Sequence, residues 1–125
     1  MKTKLFSLMI ALALAGCAEM PSATKNASAD HGPYPSNYEQ VVHDWIAQTF
    51  FDPHSIQDLT IAQPAKGWHT GAPILGEKAV YYGWEVIVSV NGKNRLGGYT
   101  GLQKYDLLLR DGKIIRETNL TNPGL

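Results

Sequence analysis

The chain has 125 residues, 44% of them apolar and 18% charged, which is room for one small domain with extensions and not for two ordinary ones. Eleven Lys and Arg against eleven Asp and Glu leave no formal net charge, which disfavours a strongly basic nucleic-acid binder. One cysteine excludes an intramolecular disulfide and a cysteine-rich zinc site, and the plentiful aromatic and β-branched residues are not those of a disordered chain.

Lys2 and Lys4 precede an apolar run from Leu5 to Leu14, broken only by Ser7. This is a charged segment followed by a stretch too short to span a bilayer. The run ends in Leu14-Ala15-Gly16-Cys17. In these residues the chain resembles bacterial lipoprotein signal peptides. The resemblance implies cleavage after residue 16, lipidation of Cys17 and a place in the cell envelope, the membrane being reached through lipid. Ala18 stands where an aspartate commonly marks inner-membrane retention, so the resemblance implies the outer membrane, facing the periplasm, in a two-membraned cell. An ordinary secretory signal cut after Ala13-Leu14-Ala15 is the alternative. Loss of Lys2 and Lys4 reduces eleven basic residues to nine against eleven acidic ones, a formal charge of −2. Lipid, not charge, would then hold the protein at the membrane.

Residues 17–35, rich in Ala, Ser, Pro and Asn, show no apolar periodicity. They are expected to be a flexible tether with a root-mean-square reach of about 25 Å, with His31 as a solvated loop residue. Residues 36–119 are expected to form one domain. Ser36-Asn37-Tyr38-Glu39 fits a capping box. Tyr38, Val41, Val42, Trp45, Ile46 and Phe50 then mark one stripe of an amphipathic helix of about fourteen residues, closed by Asp52-Pro53.

Beyond the helix the period changes to two. Leu59 and Ile61 alternate with Thr60 and Ala62 in a short strand, and residues 64–78, with several Gly and Pro, read as a long loop. From 79 to 90, Val80, Tyr82, Trp84, Val86, Val88 and Val90 form one uninterrupted apolar face. Asn91-Gly92 opens a turn, Gly97-Gly98 closes a loop into a strand over 99–110, and Asp111-Gly112 is a two-residue hairpin signal leading into 113–119. Residues 120–125 read as a loose tail. The order predicts an α+β fold, one N-terminal helix packed on an antiparallel sheet of about four strands. A small β-barrel with one helix is the alternative, and strand order is left open, a cystatin-like wrap being one solution.

No constellation nominates an enzyme. His31, His43, His54 and His69 lie 12, 11 and 15 residues apart, with no pair at metal-ligand spacing, so no metal and no cofactor is expected. If two of them met, they would be His43 and His54 across the Asp52-Pro53 bend. Asp52, His54 and Ser55 lack a nucleophile elbow and read as a turn. Gly97-Gly98-Tyr99-Thr100-Gly101 is not a phosphate loop, and reads as a bulge or turn.

The segment from Val90 to Gly101 resembles a V-N-x-K-N-x-x-G-G-Y-x-G stretch of small bacterial exported proteins, a resemblance that implies lineage and no activity. Lys93, Asn94, Arg95 and Tyr99 place cations, an amide and an aromatic ring at one tip, and Trp68 lies in the Gly/Pro loop. These five are the candidate binding residues. Tyr81, Ile87, Leu102 and Leu108 would form an outward apolar patch suited to a dimer if the helix covers only the other face. The chain is therefore expected to be a non-catalytic envelope lipoprotein that binds a protein or peptidoglycan. An inhibitor of an envelope hydrolase, a small hydrolase using His54 or His43, and a purely structural lipoprotein are the alternatives.

Overall fold

A computed structural model describes residues 20–123. The fold is α+β, as expected: one antiparallel sheet of five strands, one main helix and a second short one, with the sheet not closed into a barrel. In chain order the elements are α1 (Ala23–Ser28), α2 (Tyr38–Thr49), β1 (Gln57–Ile61), β2 (Ala65–Thr70), β3 (Val80–Lys93), β4 (Tyr99–Arg110) and β5 (Lys113–Asn119).

The expected stripe is the buried face of α2. Val42, Trp45 and Ile46 are buried, and Tyr38, Val41 and Phe50 pack beside them. The capping box does not form. Asn37 occupies the cap position without a side-chain bond, and the Tyr38 N–H donates to the Pro35 carbonyl at 3.0 Å. Pro35 is buried, so the chain enters the helix already fixed, two residues later than Ser36.

The 14-residue β3 is the backbone of the sheet. One edge pairs with β4 along most of its length, while β1 and β2 share the other edge, β1 opposite 88–91 and β2 opposite 80–85. Between them the Ala62 N–H still donates to the Ile87 carbonyl at 2.9 Å. The sheet is thus a four-position meander whose first position is split in two. The strand over 65–70 corrects the reading of 64–78 as one loop. Asp111 and Gly112 take φ of 52° and 75°, the left-handed pair a two-residue hairpin needs.

Two different segments cover the long apolar face of β3. Helix α2 lies over Val86 and Val88, joined there by Leu107 and Leu109 of β4. The N-terminal half is covered by residues expected to be tether. His31 is 3% exposed and sets its ring edge-on to Tyr82 and Trp84, Tyr34 packs on Trp84, and the Trp84 indole donates to the Gly32 carbonyl at 3.2 Å. Arg110 clamps the segment, donating to the Asp30 carbonyl at 2.6 Å and to its carboxylate at 3.1 Å. The flexible-tether reading therefore fails for residues 23–35, and His31 is a packed residue. The loose-tail reading fails for residues 120–122, because Leu120 and Thr121 bond to Lys104 and the Asn119 side chain caps Thr121 and Asn122, while residues 124–125 lie outside the described residues.

Candidate functional site

The face of the sheet turned away from α2 is concave. His69 on β2, Tyr81, Glu85 and Ile87 on β3, Asp106 and Leu108 on β4, and Arg116 and Thr118 on β5 share it by register. The curl brings distant strands together. Arg116 of β5 donates to the Thr70 carbonyl of β2 at 3.3 Å, passing over two intervening strands. An open depression of about 520 Å³ lies below it, lined by Trp68, His69, Thr70, Asp106, Arg116 and Thr118, among others.

At its floor the His69 Nε2 lies 3.0 Å from Asp106 Oδ2 and 3.9 Å from Glu85 Oε1. One donor atom from each of the three residues lies within 4.8 Å of the others. Gly67 makes this possible, since a Cβ there would overlap the Glu85 carboxylate. Glu85 also accepts the Trp68 backbone N–H at 3.3 Å. Burial holds the Glu85 carboxyl above its ordinary range, and the charge of Asp106 pushes the same way, against the Trp68 N–H and His69. The His69 Nε2, although close to Asp106, is off the line a hydrogen bond requires, and it is buried without a partner, as is Asp106 Oδ1.

The rim is a bidentate pair. Arg116 donates to both Glu77 carboxylate oxygens at 3.1 and 2.9 Å and stacks over the Tyr81 ring, 4.7 Å from its centroid. The Arg116 hydrogen bonds, then the Ala72 N–H, hold the Glu77 carboxyl below its usual range.

This arrangement overturns the outward apolar patch. Leu108 is fully buried, and Glu85 and Asp106 interrupt the apolar row, leaving Leu102 exposed near the far end. Spacing along the chain gave no sign of the cluster, whose members lie 16 and 21 residues apart. An acid inside an apolar strand was the available signal; its cross-strand partner is Ala65, and the glycine its side chain lies against, Gly67, is the diagonal neighbour.

Lys93, Asn94, Arg95 and Tyr99 come together at the β3–β4 tip, Lys93 pairing with Tyr99 and lying over its ring at 5.3 Å. The Asn94 side chain accepts the N–H groups of Leu96 and Gly98 at 3.0 and 3.1 Å, and the Tyr99 hydroxyl donates to the Ser55 carbonyl at 2.8 Å. Trp68 pairs with Tyr82, eleven residues and roughly 36 Å of strand away, so it shares no surface with that tip. Cys17 lies outside the described residues. His43 and His54 are both exposed and neither joins the three-residue cluster. The Ser55 hydroxyl donates to the Asp52 carbonyl at 3.1 Å, a local turn as the sequence reads. Among the described residues no helix is long and apolar enough to cross a membrane. Comparison with protein-family models, with curated proteins and with solved structures found no match.

Proposed function

We propose that the chain is a lipid-anchored envelope lipoprotein that acts by binding another protein, without catalysis, and that the β3–β4 tip is its contact surface. The observation that carries this is Leu96, 95% exposed directly after the cation Arg95 and three residues past Lys93, on a loop whose backbone the Asn94 side chain ties down. A large apolar side chain fixed in water on a preformed loop is the form of a contact residue.

The anchor and the tip would lie at opposite ends. With Cys17 lipidated, only residues 18–21 separate it from Ser22, which caps α1. Asn26 of α1 bonds to the Lys66 carbonyl, opposite Trp84. Lys93 is nine residues further along β3, about 30 Å at strand rise. One end would rest against the headgroups while the tip points away, into the periplasm where an outer membrane is present.

A photo-activated cross-linker in place of Leu96, in the full-length tagged chain in cells, tests this. One protein captured at near-equal stoichiometry, and lost with Arg95→Ala or Cys17→Ser, is the expected result. Capture of peptidoglycan fragments alone would overturn the protein partner, and no capture above the Cys17→Ser control would overturn binding at the tip.

A further inference from the structure

We propose that His69, Glu85 and Asp106 form a binding site for one divalent transition-metal ion of the zinc type, independent of the tip. The donors come from three adjacent strands, and any two of the three atoms are within 4.8 Å. A tetrahedral ion with bonds of about 2.0–2.1 Å sets its ligands roughly 3.3 Å apart. The present separations of 3.0 and 3.9 Å from His69 Nε2 bracket that value, so small rotations of the side chains close the site.

Two atoms at the cluster lack a partner. His69 Nε2 and Asp106 Oδ1 are both buried without a hydrogen bond, a costly condition for polar groups. The His69 side chain is 11% exposed and that of Asp106 16%. A bound cation would satisfy His69 Nε2, and a turn of the Asp106 carboxylate would bring Oδ1 to it in place of Oδ2; with neutral His69 the two carboxylates would balance its double charge. An imidazole with two carboxylates suits zinc and its first-row neighbours and is a poor set for magnesium or calcium, which take oxygen ligands. The depression lined by His69 and Asp106 gives the ion an entry path and room for a water ligand. Gly67 keeps the space in which the Glu85 carboxylate lies.

The test is a titration of the full chain, stripped with a chelator and held in mild detergent, with Zn2+ against a colorimetric competitor. One equivalent should bind. His69→Ala and Asp106→Asn should each weaken binding by at least about 100-fold, the upper end of what loss of an outer-shell partner costs. Gly67→Ala should weaken it with all three ligands intact, while the His43→Ala/His54→Ala double variant and Mg2+ competition should leave it unchanged. No binding, or full binding by a folded His69→Ala variant, would overturn the site. Should His69→Ala fail to fold, imidazole NMR of the unaltered chain decides. Zn2+ should shift the His69 ring signals and leave those of His43 and His54 in place; an unmoved His69 would overturn the proposal.

Discussion

Leu108→Ala separates two pictures of the sheet. If α2 covered one face and the other were open, Leu108 would sit on the open face and its truncation would cost under about 0.5 kcal/mol, as surface changes do. In the structure Leu108 is fully buried, its side chain lying over Gly83, where a Cβ would come within 3.2 Å of Leu108 Cγ. Truncation removes three buried carbons at about 0.8 kcal/mol each, roughly 2.4 kcal/mol before any cavity term. The cavity adds to this, because Gly83 has no side chain to fill it and the neighbouring Glu85 is polar, so the total expected is about 3–4 kcal/mol. For a domain of about 100 residues that lowers Tm by roughly 12–30 °C. Urea unfolding followed by tryptophan fluorescence gives the value directly, with Leu107→Ala on the α2 face as a fully buried reference and Leu102→Ala as an exposed one. A loss for Leu108→Ala close to that of Leu102→Ala would refute the concave second face, and with it the enclosure of the site below it.

His31→Ala should cost about 1–3 kcal/mol by uncovering Tyr82 and Trp84, and limited proteolysis should cut 23–35 in the variant while sparing it in the parent chain. Gly92→Ala would set a Cβ 2.5 Å from Phe50 Cδ1, a rigid ring, and should cost about 1–3 kcal/mol by thermal melt, whereas Gly98→Ala, with its nearest atom at 3.8 Å, should be close to neutral. Asp30 and Glu77 have carboxyls lowered from ordinary values of 3.8 and 4.5, the first chiefly by the Gly32 N–H and then by Arg110, the second by Arg116. A lowered folded value means that the stabilisation is present above the unfolded pKa and lost as pH falls through the folded one. Acid unfolding should therefore steepen below about pH 4, and Arg110→Gln with Arg116→Gln should flatten that limb. Glu85, raised by burial, has the opposite sign and favours the fold as pH falls, so its conservative Gln variant should not flatten the acid limb.

What was legible in the chain was local. The α2 stripe, the alternation through β3, the bounds of β4 and β5 and the Asp111-Gly112 turn all depend on neighbours within a few residues, and all appear in the structure. Strand β2 was not legible because its register with β3 is set by β3. Ala65-Lys66-Gly67-Trp68-His69-Thr70 has no alternation of its own, and Gly67 there serves Glu85 across the ladder, not its own strand. The His69, Glu85 and Asp106 cluster is non-local in the same sense, since each residue alone reads as an ordinary polar position. Only the curl of the sheet brings side chains of β2 and β4 to 3.0 Å across β3.

The docking of residues 31–34, by contrast, follows from lengths already present in the sequence. The apolar face from Val80 to Val90 spans ten residue steps, about 33 Å of strand. A helix of twelve residues is about 18 Å long, so α2 alone leaves nearly half of that face open. Tyr82 and Trp84 stand in the open half, and each is too large to leave in water without loss. A second cover was required, and after α2 the chain runs directly into the strands that build the sheet. The stretch that supplies it precedes α2, where His31, Tyr34 and the Gly32 carbonyl meet those rings and Asp30 meets Arg110. A segment that looks like linker by composition becomes part of the core when the face beside it is longer than the helix meant to cover it.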